Sequence, residues 1–158
     1  MQQGARILLV EDDDVLRGVV ERNLSAREHK ISVAVDAQSA LRHLREQEFD
    51  LMLLDINLPD QTGWDVLRAA KQEGRFQLYE QELAGKLPVV VLSAVRVSPR
   101  RLAEFHPLAY LPKPFPMEAL LRLAAEAATR KQELDQKRDG EEPASIGIEH
   151  SGEEGMYA

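Results

Sequence analysis

The sequence predicts an α/β domain of (βα)5 type, a central five-stranded parallel sheet with helices on both faces. Three observations predict it. Short unbroken apolar runs recur along the chain, as in Ile7-Leu8-Leu9-Val10 and Leu51-Met52-Leu53-Leu54. Such runs suit strands covered on both faces, the hallmark of a parallel sheet. The runs alternate with segments of helical periodicity long enough to cross over between parallel strands. Each run also stops on a polar residue, which places polar chemistry at the C-terminal edge of the sheet.

The elements follow in order. Residues 6–10 read as the first strand, and an acidic loop, Glu11-Asp12-Asp13-Asp14, follows it. A helix from about Val15 to Ala26 carries Leu16, Val19, Val20 and Leu24 on one stripe. Asp13 and Asp14 suit its N-terminal end, where acids complement the helix dipole. Ile31 to Val35 is a β-branched strand, and Ala37 to Gln47 a second helix buried through Ala40, Leu41 and Leu44. Asp50 to Asp55 is the third strand. Gly63 to Glu73 is the third helix, with Trp64, Val66 and Leu67 turned inward. Pro88 to Leu92 is the fourth strand, ending at Ser93-Ala94. Ser98 caps a short helix with Pro99 in its first turn, and that helix ends by Phe105, before Pro107. Leu108 to Leu111 is the fifth strand. Pro116 to Arg130 is the last helix, with Met117, Leu120, Leu121, Ala124 and Ala128 facing the sheet.

Two stretches are less regular. Residues 71–87 are long for a helix-to-strand connection, where roughly 2–6 residues is usual. They read as an insertion holding a helix extension or a short extra helix. From Lys131 the chain turns polar, and residues 131–158 hold eight acidic and three basic residues. That stretch reads as an acidic, disordered tail after a residual turn or two of helix. The folded domain is thus expected over residues 5–130.

Composition bounds the function. The 158 residues fit one domain, and 44% hydrophobic content supports a core. A net charge of −7 without a basic stripe argues against direct nucleic acid binding. Arg96, Arg100 and Arg101 read as a solvated face. No cysteine is present, which removes disulfides, thiolate chemistry and cysteine-based zinc sites. No apolar window is long enough for membrane insertion, and the composition suits a cytoplasmic protein. His29, His43, His106 and His150 lack metal-ligand spacing and read as surface or turn residues.

Four loops leaving the C-terminal strand ends carry different polar groups: Glu11 and Asp12, Asp55, Ser93, and Lys113. Carboxylates gathered from two strands need a counter-charge. Acidic oxygens with a backbone carbonyl suit Mg2+, a hard cation. Aspartate is a nucleophile toward phosphoryl groups, and a metal with a lysine would balance charge on the transferring oxygens.

These motifs, in order, carry a resemblance. Ile7-Leu8-Leu9-Val10-Glu11-Asp12-Asp13, Leu53-Leu54-Asp55-Ile56-Asn57-Leu58-Pro59, Thr62-Gly63, Val91-Leu92-Ser93-Ala94 and Tyr110-Leu111-Pro112-Lys113-Pro114-Phe115 resemble the receiver domain of two-component response regulators. The resemblance spans residues 5–130 and implies the flavodoxin-like receiver fold. It implies Asp55 as phosphoacceptor, and Glu11 and Asp12 as the acidic pair, with Asp12 the more direct Mg2+ ligand. Asp55 itself and the backbone carbonyl of Asn57 complete the metal set, and Mn2+ is the alternative ion. Ser93 and Lys113 act on the phosphoryl group, and Ser93 with Tyr110 forms the switch. Pro114 matches a proline commonly held in cis. Val95 and the Asn57 side chain occupy positions that tune phosphoryl lifetime. The chain departs from the family in the insertion, in a shortened segment from Val95 to His106, and in Pro107-Leu108-Ala109 where the family has Gly-Ala.

The resulting expectation is a stand-alone phosphoprotein of signal transduction. A histidine kinase or histidine phosphotransfer protein supplies the phosphoryl group, and an unidentified downstream protein reads the output. No organic cofactor is expected. Catalysis is confined to self-catalysed phosphorylation and dephosphorylation of Asp55, so the chain is not a conventional enzyme. Two alternatives compete. One is a receiver-like adaptor that works without phosphorylation. The other is a metal-dependent phosphatase using an aspartyl phosphate, disfavoured because Asn57 stands where a second acid would be needed.

Overall fold

The computed structural model describes residues 3–73 and 87–157, with side chains described through residue 137 and at residue 139. Five strands alternate with five helices: β1 (Arg6–Val10), α1 (Asp14–Ser25), β2 (Lys30–Ala34), α2 (Ala37–Glu46), β3 (Leu51–Asp55), α3 (Gly63–Gln72), β4 (Val89–Ser93), α4 (Pro99–Phe105), β5 (Ala109–Pro112) and α5 (Met117–Tyr157). The strands form one sheet in the order β2-β1-β3-β4-β5, with every pairing parallel.

The apolar runs bury both faces because successive strand side chains point to opposite sides. Leu8, Val10, Met52, Leu54, Val89 and Val91 join one core cluster, with Ala40 and Leu44 of α2, Trp64 and Leu67 of α3 and Phe105 of α4. Ile7, Leu9, Leu51, Leu53, Val90 and Leu92 join the other, with Val20 and Leu24 of α1 and Leu120 and Ala124 of α5. β1, β3 and β4 are almost wholly buried, whereas the edge strands β2 and β5 are only partly so.

Polar caps start each of the first four helices at the C-terminal edge of the sheet. Asp13 accepts from the Val15 and Leu16 amides, Asp36 from Ser39, Thr62 from Asp65 and Ser98 from Arg101. The expected short α4 is present, with Pro99 in its first turn and His106 in the left-handed region (φ 49°) at its end. Trp64 and Phe105 stack with centroids 5.3 Å apart at 18°, and the Arg68 guanidinium lies 5.3 Å from the Phe105 ring centre.

The insertion proposed over residues 71–87 lies outside the described residues, apart from residues 71–73 and the buried Leu87. The composition after Lys131 predicts a disordered tail, whereas the described backbone is helical to Tyr157. The first added turns have a physical reason: Lys131, Gln132, Asp135 and Gln136 line a groove with Gln3, and Lys131 pairs with Asp135 at 3.2 Å. Composition sums a segment and does not register a helix already running into it. His29, expected at the surface, is 8% exposed. Its Nδ1 accepts the Ala5 amide at 2.9 Å where α1 returns to the sheet.

Burial, helped by Arg27, lowers the His29 pKa below its ordinary 6.5. The unfolded chain then binds the extra proton between the two values, so stability rises with pH across that window. This contribution should be complete above 6.5 and fall as pH drops toward the folded value. Urea unfolding at a series of pH values should show that slope in the wild type and a weaker one in His29→Gln; identical slopes would contradict the assignment.

Gly63 has a different constraint. A Cβ there would lie 2.7 Å from the Asp55 carbonyl oxygen and 2.9 Å from Ile56 Cδ1. Gly63→Ala should therefore cost about 1–3 kcal/mol of overpacking. A change below ~0.5 kcal/mol in the same unfolding experiment, the range of ordinary surface substitutions, would show that the backbone yields freely.

Candidate functional site

Parallel register assembles the site. Val10 pairs with Leu54, and Asp55 with Leu92, so β1, β3 and β4 end at the same level. Glu11 and Asp55 are carried just beyond two buried runs. The loop after β5 is drawn to the same place because the Lys113 amide donates to the Ser93 carbonyl at 2.8 Å. The Lys113–Pro114 peptide is cis, as the resemblance implied.

Lys113 Nζ lies 2.7 Å from Glu11 Oε1 and 3.2 Å from Asp55 Oδ2. Glu11 is 1% and Asp55 3% exposed, whereas Asp12 is exposed. The remaining carboxylate oxygens are also used. Asp55 Oδ1 accepts the Asn57 amide at 3.0 Å, and Glu11 Oε2 accepts the Asp13 amide at 3.2 Å. Carboxylate oxygens of Glu11, Asp12 and Asp55 all lie within 4.8 Å of one another, the one such group of potential metal ligands among the described residues.

The electrostatics follow from that crowding. Burial pushes the Glu11 pKa up to about 7, and Asp55 adds to the effect, against the opposing pull of Lys113. Burial also works against the Lys113 ammonium, but its carboxylate partners, Glu11 foremost, outweigh this and raise its pKa. Three acids and one ammonium leave the pocket short of positive charge when all are ionised. An all-oxygen donor set with surplus negative charge fits a hard divalent cation such as Mg2+.

Ser93 and Tyr110 meet nearby, at a backbone group. The Ser93 hydroxyl, 1% exposed, donates to the Val95 carbonyl at 2.8 Å and accepts the Val95 amide at 3.1 Å. The Tyr110 hydroxyl donates to the same carbonyl at 3.2 Å. Thus Glu11, Asp12, Asp55 and Lys113 converge on one pocket, and Ser93 and Tyr110 share an anchor beside it.

Two further residues brace the loops and escaped sequence reasoning. Arg17, from α1, donates to the Glu11 carbonyl at 2.9 Å and pairs with Asp14. Asp60, at the tip of the β3–α3 loop, accepts the Ala37 and Gln38 amides at 2.9 and 3.1 Å. An arginine one turn into a helix after an acidic loop is a weak signal for the first. The second contact joins residues more than twenty positions apart and leaves no local pattern.

Residues 7–125 match the response regulator receiver domain family. The transcriptional regulatory protein AfsQ1 of Streptomyces coelicolor is 33% identical over 88 residues, 56% of this chain and 34% of its own length. The response regulator MprA of Mycobacterium ulcerans is 33% identical over 137 residues, 85% of this chain and 55% of its own. The chain thus spans about half or less of these relatives. A solved structure, the receiver domain of sensor histidine kinase PA1611 from Pseudomonas aeruginosa PAO1 with a magnesium ion coordinated in the active site cleft, superposes with a TM-score of 0.64. It is 27% identical, over 80% of this chain and 98% of that one. With a doubly wound parallel sheet and an acidic pocket closed by a lysine at its C-terminal edge, the chain belongs to the response regulator receiver domain family.

Proposed function

We propose that this chain accepts a phosphoryl group on Asp55 in a Mg2+-dependent reaction and passes the signal on through protein contacts. The observation that carries this reading is the salt bridge of Lys113 to both buried carboxylates, Glu11 and Asp55. It holds the nucleophile in a fixed orientation and places an ammonium where negative charge builds up during transfer. The donor is the phosphohistidine of a histidine kinase or histidine phosphotransfer protein. An Asp55 oxygen forms the new bond to phosphorus, the donor P–N bond breaks, and the released imidazole nitrogen takes up a proton.

Asp12, Glu11, Asp55 and the Asn57 carbonyl are the groups that would hold the metal. When bound, Mg2+, or Mn2+ in its place, neutralises charge on the transferring oxygens. Ser93 supports the switch role in this reading. Its hydroxyl would leave Val95 for a phosphoryl oxygen, and Tyr110, anchored on the same carbonyl, would lose that shared arrangement. Among the described residues, the exposed large hydrophobics are Val15, Val35 and Val95. They follow β1, β2 and β4, on loops at the C-terminal edge of the sheet. No described helix is long and apolar enough to cross a membrane.

Incubation with Mg2+ and acetyl phosphate, followed by intact mass spectrometry, tests the reading. The wild type should gain one phosphoryl group and Asp55→Asn none. An unmodified wild type, or an equal adduct on Asp55→Asn, would overturn it. Sustained turnover of phosphomonoesters would instead favour the phosphatase alternative.

A further inference from the structure

We infer that Asp60 is a positioning residue for the metal-binding loop, latching the segment that carries the Asn57 carbonyl onto the first turn of α2. The inference rests on the proposed Mg2+-assisted phosphorylation of Asp55 and extends it to a residue outside the pocket.

The loop between β3 and α3 is fixed at three places. Its base is closed by an antiparallel bridge between Asn57 and Thr62 and by the Gly63 amide donating to the Ile56 carbonyl at 2.8 Å. Its inner side is held by partly buried Leu58, which packs on the core cluster shared with α2 and α3. Its tip is held by Asp60. One carboxylate oxygen accepts both the Ala37 amide and the loop's own Gln61 amide at 2.9 Å, and the other accepts the Gln38 amide at 3.1 Å.

The first-turn amides of α2 have no partners within the helix. They are divided between two acids. Asp36, the residue preceding the helix, accepts the Ser39 amide at 2.8 Å and the Ser39 hydroxyl at 2.6 Å, but no other first-turn amide. The Ala37 and Gln38 amides are left to Asp60, some twenty residues further along the chain. Asp36 already serves the third amide, so the first two are capped only by reaching out to the loop. Supplying their cap from the loop ties the loop's position to a helix seated on the sheet. The backbone hydrogen bonds, led by that from Ala37, hold the Asp60 carboxyl below its ordinary pKa, so the latch stays ionised at neutral pH.

The consequence concerns the cost of ordering the carbonyl ligand. Binding through a backbone carbonyl is strongest when its loop is already held in place, because no ordering entropy then opposes the metal. Without the latch the base bridge remains, but the peptide units between Asn57 and Asp60 gain freedom.

The division of caps supplies an internal control. Asp36→Ala weakens the start of the same helix without touching the loop, whereas Asp60→Ala does both. Mg2+ affinity is measured by isothermal titration on the full chain. Asp60→Ala should bind about 10-fold more weakly than wild type, the low end for a residue that acts through a metal ligand. Asp60→Asn, which keeps an oxygen acceptor, should recover most of the loss, and Asp36→Ala should retain wild-type affinity. Amide hydrogen exchange without metal should be faster at Asn57 to Gly63 in Asp60→Ala and unchanged there in Asp36→Ala. Wild-type affinity in Asp60→Ala, or an equal loss in Asp36→Ala, would overturn the latch while leaving the phosphoacceptor reading intact. A wild type that binds no Mg2+ would overturn both.

Discussion

One ammonium group holds the site together. Lys113 Nζ sits between the buried carboxylates of Glu11 and Asp55. Neither acid is stable as an unpaired charge so far from water. The strands that deliver them are fixed by apolar burial over their whole length, so the acids cannot move apart to relieve the repulsion. Lys113 relieves it only in part, since three carboxylates face one ammonium and burial still raises the Glu11 pKa. A pocket in this condition gains free energy from a second cation. The fit of this acidic cluster to a hard divalent cation and the hold on Asp55 therefore have one electrostatic origin.

The pocket is wired to the rest of the domain by short backbone connections. The Ser93 carbonyl holds the Lys113 amide, and the Ser93 hydroxyl shares the Val95 carbonyl with Tyr110. A change at Ser93 thus bears on the lysine loop and on the exposed β4–α4 loop together. On the other side, Gly63 lies against the Asp55 carbonyl. The next residue, Trp64, stacks on Phe105 and so joins α3 to the short α4. Movement of α4 relative to α3 must either carry this aromatic pair or break it.

The strands were legible because their apolar runs are continuous and end on polar residues, and the structure places those ends side by side. Ser98-Pro99 marked the start of α4 by local cap chemistry alone. Features that depend on distant partners were not legible. His29 is buried because the Ala5 amide meets its ring, a contact across 24 positions that no spacing rule encodes. Asp60 carries no local signal in the sequence, because its role depends on where α2 begins. The continuation of α5 past Lys131 reflects propagation of a helix already formed and the Lys131–Asp135 pair within it, which composition does not record.

The central claim is that Lys113 is retained in its place by two acids that need it. A double-mutant cycle between Lys113→Met and Glu11→Gln, read by urea unfolding without divalent ions, tests this most directly. Lys113→Met alone should cost about 2–4 kcal/mol, somewhat less than a wholly buried pair because the ammonium keeps some exposure. With Glu11 already neutral, the same substitution should cost much less, giving a coupling of at least ~1 kcal/mol. Additive effects, or a Lys113→Met protein as stable as the wild type, would contradict the account.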